Sequence, residues 1–211
     1  MAQAFHGGRL CEAAKEFGLS PGAFVDFSAN TNVHAPTVSA AHWEEWRTGI
    51  ARYPEADAHS IRRQLAEIYH VPAEQLLPAA GAIEALYLAA RLFPTSKVAI
   101  VEPAFSDYQR AFVAAGCDAV RVTLPYEMWH QPISHWHHLL APFDVIVLGN
   151  PNNPTGSLQR RAELLRVLEG DDAGSKTWII DEAFIEFVAD QESETLMPFL
   201  NEHPTLIVLR S

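Results

Sequence analysis

Two short stretches carry the polar groups best placed to do chemistry. Asn150-Pro151-Asn152-Asn153-Pro154-Thr155-Gly156 follows the apolar run 145–148, and Asp181-Glu182-Ala183-Phe184 follows Trp178-Ile179-Ile180. Short apolar runs without alternation predict parallel strands buried on both faces. Proline and glycine cannot continue a strand, so Asn153 is expected to project from a loop at one strand's C-terminal end. Asp181 is expected at the C-terminal end of the next strand, on the edge where open α/β sheets bind ligands. A carboxylate buried there needs a cationic or hydrogen-bonding partner to offset its desolvation.

A carboxylate and a neutral amide donor on one sheet edge suit pyridoxal phosphate chemistry. The carboxylate keeps a pyridine nitrogen protonated, so that the cationic ring accepts electrons from a substrate carbanion. An asparagine amide can bind the ring's phenolic oxygen. Alone, Asn-Pro-Thr-Gly is an ordinary turn. The strand before it and the strand-Asp-Glu-Ala-Phe unit one helix later give it a functional meaning.

The elements that must position these groups are legible around them. Leu10, Ala13, Ala14 and Phe17 sit at helical spacing, ended by Gly18-Leu19-Ser20-Pro21, and residues 24–30 follow as an extended piece. A helix is predicted over 38–48, and another carries Ile61, Leu65, Ile68 and Tyr69 as an apolar stripe expected to be core. Leu76-Leu77-Pro78-Ala79-Ala80-Gly81 then leads into a helix with Ile83, Leu86, Tyr87 and Ala90. Small residues before a helix N-terminus make a candidate anion site from free amides and the helix dipole. Strands at 98–101, 119–122, 145–148, 178–181 and 206–209 alternate with helices at 108–115 and 160–168. That alternation predicts an α/β fold, a three-layer α/β/α sandwich with a mostly parallel sheet. The histidine-rich segment 129–138 is read as a solvated connection anchored by its tryptophans, not as a metal site.

Composition sets outer bounds. The chain has 211 residues, 48% hydrophobic and 19% charged, enough for one substantial core. A formal net charge of −11 without a basic cluster argues against nucleic acid or an anionic membrane as partner. No long apolar span or leader pattern is visible, and two distant cysteines give no disulfide framework. The expected compartment is the cytoplasm.

The two stretches resemble the fold-type I aminotransferase superfamily, whose members carry Asn-Pro-Thr-Gly and then Asp-Glu-Ala-Tyr or Asp-Glu-Ala-Phe. His6-Gly7-Gly8, Asp26 to Asn30, Arg52-Tyr53-Pro54, Pro103 to Tyr108 and Asp181 to Phe187 narrow the resemblance to the threonine-phosphate decarboxylase family of cobalamin biosynthesis. Those enzymes are near relatives of histidinol-phosphate aminotransferases, from which the His-Gly-Gly arm and Phe184 separate this sequence. The resemblance implies decarboxylation of L-threonine O-phosphate to an aminopropanol phosphate, with pyridoxal 5'-phosphate as cofactor, in a homodimer. It implies that Asp181 binds the pyridine nitrogen, Asn153 the phenolic oxygen, and that Phe105 stacks on the ring. It further implies that Gly81, Ala82 and Ile83 offer amides to the phosphate, that Ser211 binds it too, and that Tyr53 reaches the phosphate of the partner subunit. His6, Gly7, Gly8 and Asn30 would line the substrate side.

Two departures stand out. Ile83 occupies a position where the family has a phosphate-binding hydroxyl. The family pattern continues Ser-x-x-Lys, which puts the Schiff-base lysine three positions beyond Ser211 and makes this an incomplete large domain. The expected organisation is an arm and helix over 1–35 and that domain over 36–211. A transaminating enzyme of the histidinol-phosphate type and a non-catalytic product are the competing readings.

Overall fold

The structure is a computed structural model describing residues 7–28, 37–170 and 174–211. The boundary expected between residues 35 and 36 lies outside them. The chain forms two compact units, Met1–Pro54 and Glu55–Ser211.

The first unit contains α1 (Leu10–Phe17) and α2 (Ala40–Ile50). Helix α1 stops where Gly18 takes a left-handed conformation, φ 65°, which glycine adopts without strain. Helix α2 starts at Ser39, whose hydroxyl accepts the His42 amide at 3.2 Å. The glycines of the arm do permit a close backbone approach, and what approaches is the chain itself. A Cβ on Gly7 would collide with the Ser28 carbonyl, while the Gly8 amide donates to Ser28 Oγ at 2.9 Å.

The second unit is built on five strands: β1 (Lys97–Glu102), β2 (Asp118–Thr123), β3 (Val145–Gly149), β4 (Thr177–Asp181) and β5 (Leu206–Leu209). All four pairings are parallel, in the order β2-β1-β3-β4-β5. Side chains alternate across the sheet. Val98, Ile100, Val145, Val147, Ile179 and Leu209 meet α4 (Gly81–Ala90) and α5 (Asp107–Ala114) on one face. Ile146, Leu148, Trp178, Ile180 and Leu206 meet α6 (Arg161–Leu168) and its neighbouring turns on the other. This is the three-layer sandwich.

One expectation needs correction. Helix α3 (His59–Tyr69) forms as predicted, but its apolar stripe is not core: Ile61 is 48% and Ile68 65% exposed. Periodicity shows that a helix has an apolar face, not that an element covers it. Segment 129–138, a set of short 3-10 turns, keeps its histidines exposed and is anchored by Trp136 and Trp129, as expected. Ile133 and Trp136 are fully buried beneath the sheet, so the segment contributes to the core.

Candidate active site

The site grows from the C-terminal ends of β3 and β4. Gly149 lies level with Asp181, and the Asn150 amide donates to the Asp181 carbonyl at 2.8 Å. Asp181 follows Ile179 by two residues, so its side chain faces the α4 and α5 layer. There Oδ2 accepts the Tyr108 hydroxyl at 2.8 Å and Oδ1 accepts the Ala183 amide at 2.9 Å. Among the described residues no cation pairs with it. Burial pushes the Asp181 carboxyl above its ordinary range, and the two hydrogen bonds offset only part of that. Tyr108, 2% exposed, is raised well above the usual phenol range by burial first and by the neighbouring anion second.

Tyr108 was not singled out as a site residue from sequence. Its signal was spacing: it follows Phe105 by three residues, across the turn that leads into α5, where its amide donates to the Phe105 carbonyl at 3.2 Å. The two rings meet edge to face, with centroids 5.7 Å apart. What sequence could not give is Gly149. A Cβ there would stand 3.1 Å from the Tyr108 hydroxyl and 3.2 Å from Asn152 Oδ1, so any larger residue would push both groups back by a few tenths of an ångström.

The loop after β3 is held from below. Asn150 is wholly buried; its Oδ1 accepts the Gln159 amide at 2.7 Å and its Nδ2 donates to the Gln159 carbonyl at 3.0 Å. Gln159 in turn accepts the Ile133 amide and donates to the Gln131 carbonyl. On this clasp, Asn152 donates to the Pro103 carbonyl and to Thr155 Oγ1, both at 2.8 Å. Its Oδ1 is buried without a hydrogen-bond partner. Asn153, the next residue, has a half-buried side chain that hydrogen-bonds to nothing among the described residues. A cavity of about 20 Å³ lies under this loop between the ends of β1 and β3, where strand order reverses; it has room for about one water.

The other expected residues are placed unequally. At the start of α4, Gly81 has φ +82° and its amide donates to the Ala79 carbonyl at 2.8 Å. Glu84 folds back onto the Ala80 amide. Ala82 and Ile83 therefore hold the amides of the first turn that helix geometry leaves free, a correction to the expected trio. Ser211 lies two residues beyond Leu209, which is level with Asp181. Tyr53 belongs to the first unit and is fully exposed. Gly7 and Gly8 bind Ser28 as described, while His6 and Asn30 lie outside the described residues.

Glu182 points to the opposite face. Its buried carboxylate accepts Thr195 Oγ1 at 2.6 Å and the Leu196 amide at 2.7 Å, and pairs with Arg210 at 3.2 Å. Arg210 also lies over the Tyr69 ring at 5.0 Å. The Asp-Glu pair thus divides its labour: one carboxylate faces the site and the other ties the turn to β5 and its flank.

Residues 17–211 match the family model for aminotransferase class I and II. The chain belongs to the aminotransferase class I and II family. This is a family of pyridoxal-phosphate-dependent enzymes. Over 208 residues the chain is 34% identical to threonine-phosphate decarboxylase of Salmonella typhimurium, covering 98% of this chain and 57% of that protein. It is 29% identical to histidinol-phosphate aminotransferase 1 of Bacillus anthracis, covering 97% and 55%. The chain therefore spans about half the length of these curated relatives. The crystal structure of L-threonine-O-3-phosphate decarboxylase from Porphyromonas gingivalis superposes with a TM-score of 0.67 at 27% identity, over 81% of this chain and 52% of that one. Among the described residues no helix is long and apolar enough to cross a membrane, and no group of His, Cys, Asp or Glu could hold a metal.

The donor set fits the family's cofactor. A partly buried carboxylate without a cation among the described residues suits a protonated ring nitrogen, and an unbonded amide in the loop on the same sheet edge suits a phenolate oxygen.

Proposed function

We propose that this chain forms the cofactor-binding part of a pyridoxal-phosphate-dependent decarboxylase acting on L-threonine O-phosphate, as a cytoplasmic homodimer serving cobalamin biosynthesis. The observation that carries the cofactor reading is Asp181, desolvated, held by two hydrogen bonds and lacking a cation among the described residues. The substrate reading rests on the 34% identity to the Salmonella decarboxylase. The 29% identity to histidinol-phosphate aminotransferase favours transamination as the second reading.

When bound, pyridoxal phosphate supplies an electron sink for the pair released as carbon dioxide leaves. Asp181 would hold the ring nitrogen in its protonated form. Asn153 would donate to the phenolic oxygen, and Phe105 would cover one ring face. The Ala82 and Ile83 amides, with the dipole of α4, would hold the phosphate.

The test is a product assay on the native gene product supplied with pyridoxal phosphate. Carbon dioxide and aminopropanol phosphate formed from L-threonine O-phosphate without 2-oxoglutarate are expected. Glutamate formed from 2-oxoglutarate and histidinol phosphate would replace this reading with the aminotransferase one.

A further inference from the structure

We infer that Tyr108 is a positioning residue for Asp181: its hydroxyl, seated over Gly149, fixes the carboxylate in the orientation that presents it to a pyridinium nitrogen. The inference rests on the cofactor reading above. Tyr108 is buried in the α4 and α5 layer, and its ring is braced by Phe105. With Oδ2 held by Tyr108 and Oδ1 by the Ala183 amide, the carboxylate cannot rotate without breaking a bond. Each oxygen still keeps a lone pair for a further donor. Among the described residues no other charged side chain acts on Asp181. From α5 it meets Tyr108, while Gly149 and Leu209 beside it on β3 and β5 do not titrate, and Glu182 faces the other side of the sheet. Gly149 is the structural condition for the contact, because a side chain there would press on the hydroxyl.

A double-mutant cycle separates positioning from packing. Tyr108→Phe keeps the ring and removes the hydroxyl. The measurements are the Kd for pyridoxal phosphate and, without ligand, the midpoint of Asp181 titration followed by carbon-13 NMR of its carboxyl. Tyr108→Phe should weaken pyridoxal phosphate binding about tenfold, the loss of one bond to a charged group, and should move the Asp181 midpoint upward. In an Asp181→Asn background the same change should weaken binding less than about twofold. An equal loss in both backgrounds, or an unmoved midpoint, would reduce Tyr108 to a packing residue and overturn the inference. If the midpoint rises while the parent chain binds no pyridoxal phosphate, the coupling stands and the cofactor reading falls. Should Tyr108→Phe fail to fold, Gly149→Ala should move both readouts in the same directions by a smaller amount, because its Cβ would press the hydroxyl aside by a few tenths of an ångström and keep the tyrosine.

Discussion

Asp181 is kept at a cost that the ligand-free fold does not recover. Its pKa in the folded state lies above the unfolded value because burial outweighs the hydrogen bonds from Ala183 and Tyr108. For a carboxyl raised in this way, the fold favours the neutral form. The associated stability is fully present below the unfolded pKa and is lost as pH rises through the folded one. At neutral pH the ionised group is therefore a net burden. Asp181→Asn keeps an oxygen for the Ala183 amide and offers the Tyr108 hydroxyl an NH₂ group to accept from, without the charge. Its melting temperature at pH 7 should exceed that of the parent chain, with the gap narrowing as pH falls through the raised folded value and closed by about pH 4, the ordinary aspartate range. Calorimetric melts at the two pH values check this. A less stable variant at pH 7 would mean that the carboxylate is well satisfied as it stands and needs no cationic ligand.

At the scale of elements, what could be read in advance followed from backbone chemistry. Strands β3 and β4 were legible because unbroken apolar runs have few other places to go, and the loop after β3 because its prolines and glycine cannot extend a strand. Asp181 and Asn153 inherited their positions from those two facts. The parts that escaped depend on long-range packing. Nothing local says that Ile61 and Ile68 stay exposed, or that Gly149 makes room for Tyr108. The clasp between Asn150 and Gln159 is of the same kind. It joins residues nine apart, both buried, and it supports the turn that carries Asn152 and Asn153. Asn150→Ala would strand the Gln159 amide and carbonyl without partners in a buried place. At about 1–3 kcal/mol for each of the two unsatisfied groups, the expected loss is about 2–6 kcal/mol. Urea unfolding should show a lower midpoint at unchanged slope. A loss under about 0.5 kcal/mol, the range of ordinary surface substitutions, would show that the loop holds its shape without the clasp.

For the whole molecule, an all-parallel sheet sorts its chemistry by edge. Every strand's C-terminal end lies on one side, with Asp181 and the Asn153 loop, and every N-terminal end lies on the other. Both lysines of the second unit fall on that far side. Lys97 opens β1, with its ammonium 5.1 Å from the centre of the Phe143 ring, and Lys176 precedes β4, donating to the Ala141 and Phe143 carbonyls at 2.8 and 3.0 Å. From residue 176 to residue 181 the strand rises roughly 16 Å, at about 3.3 Å per residue. A ring held by Asp181 is therefore out of reach of either amine, and Lys15, in the first unit, is the remaining lysine of the 211 residues. The second unit by itself therefore brings no amine to the reacting carbon, for covalent attachment or as the expected proton carrier. The 211-residue chain, mixed with pyridoxal phosphate and reduced with borohydride, should accordingly carry only scattered, substoichiometric label by intact mass and peptide mapping. It should also release no carbon dioxide from L-threonine O-phosphate. A stoichiometric adduct at Lys97 or Lys176, accompanied by carbon dioxide release, would require the amine to cross the sheet, which the strand geometry forbids. That result would mean that the reacting site lies elsewhere than at Asp181.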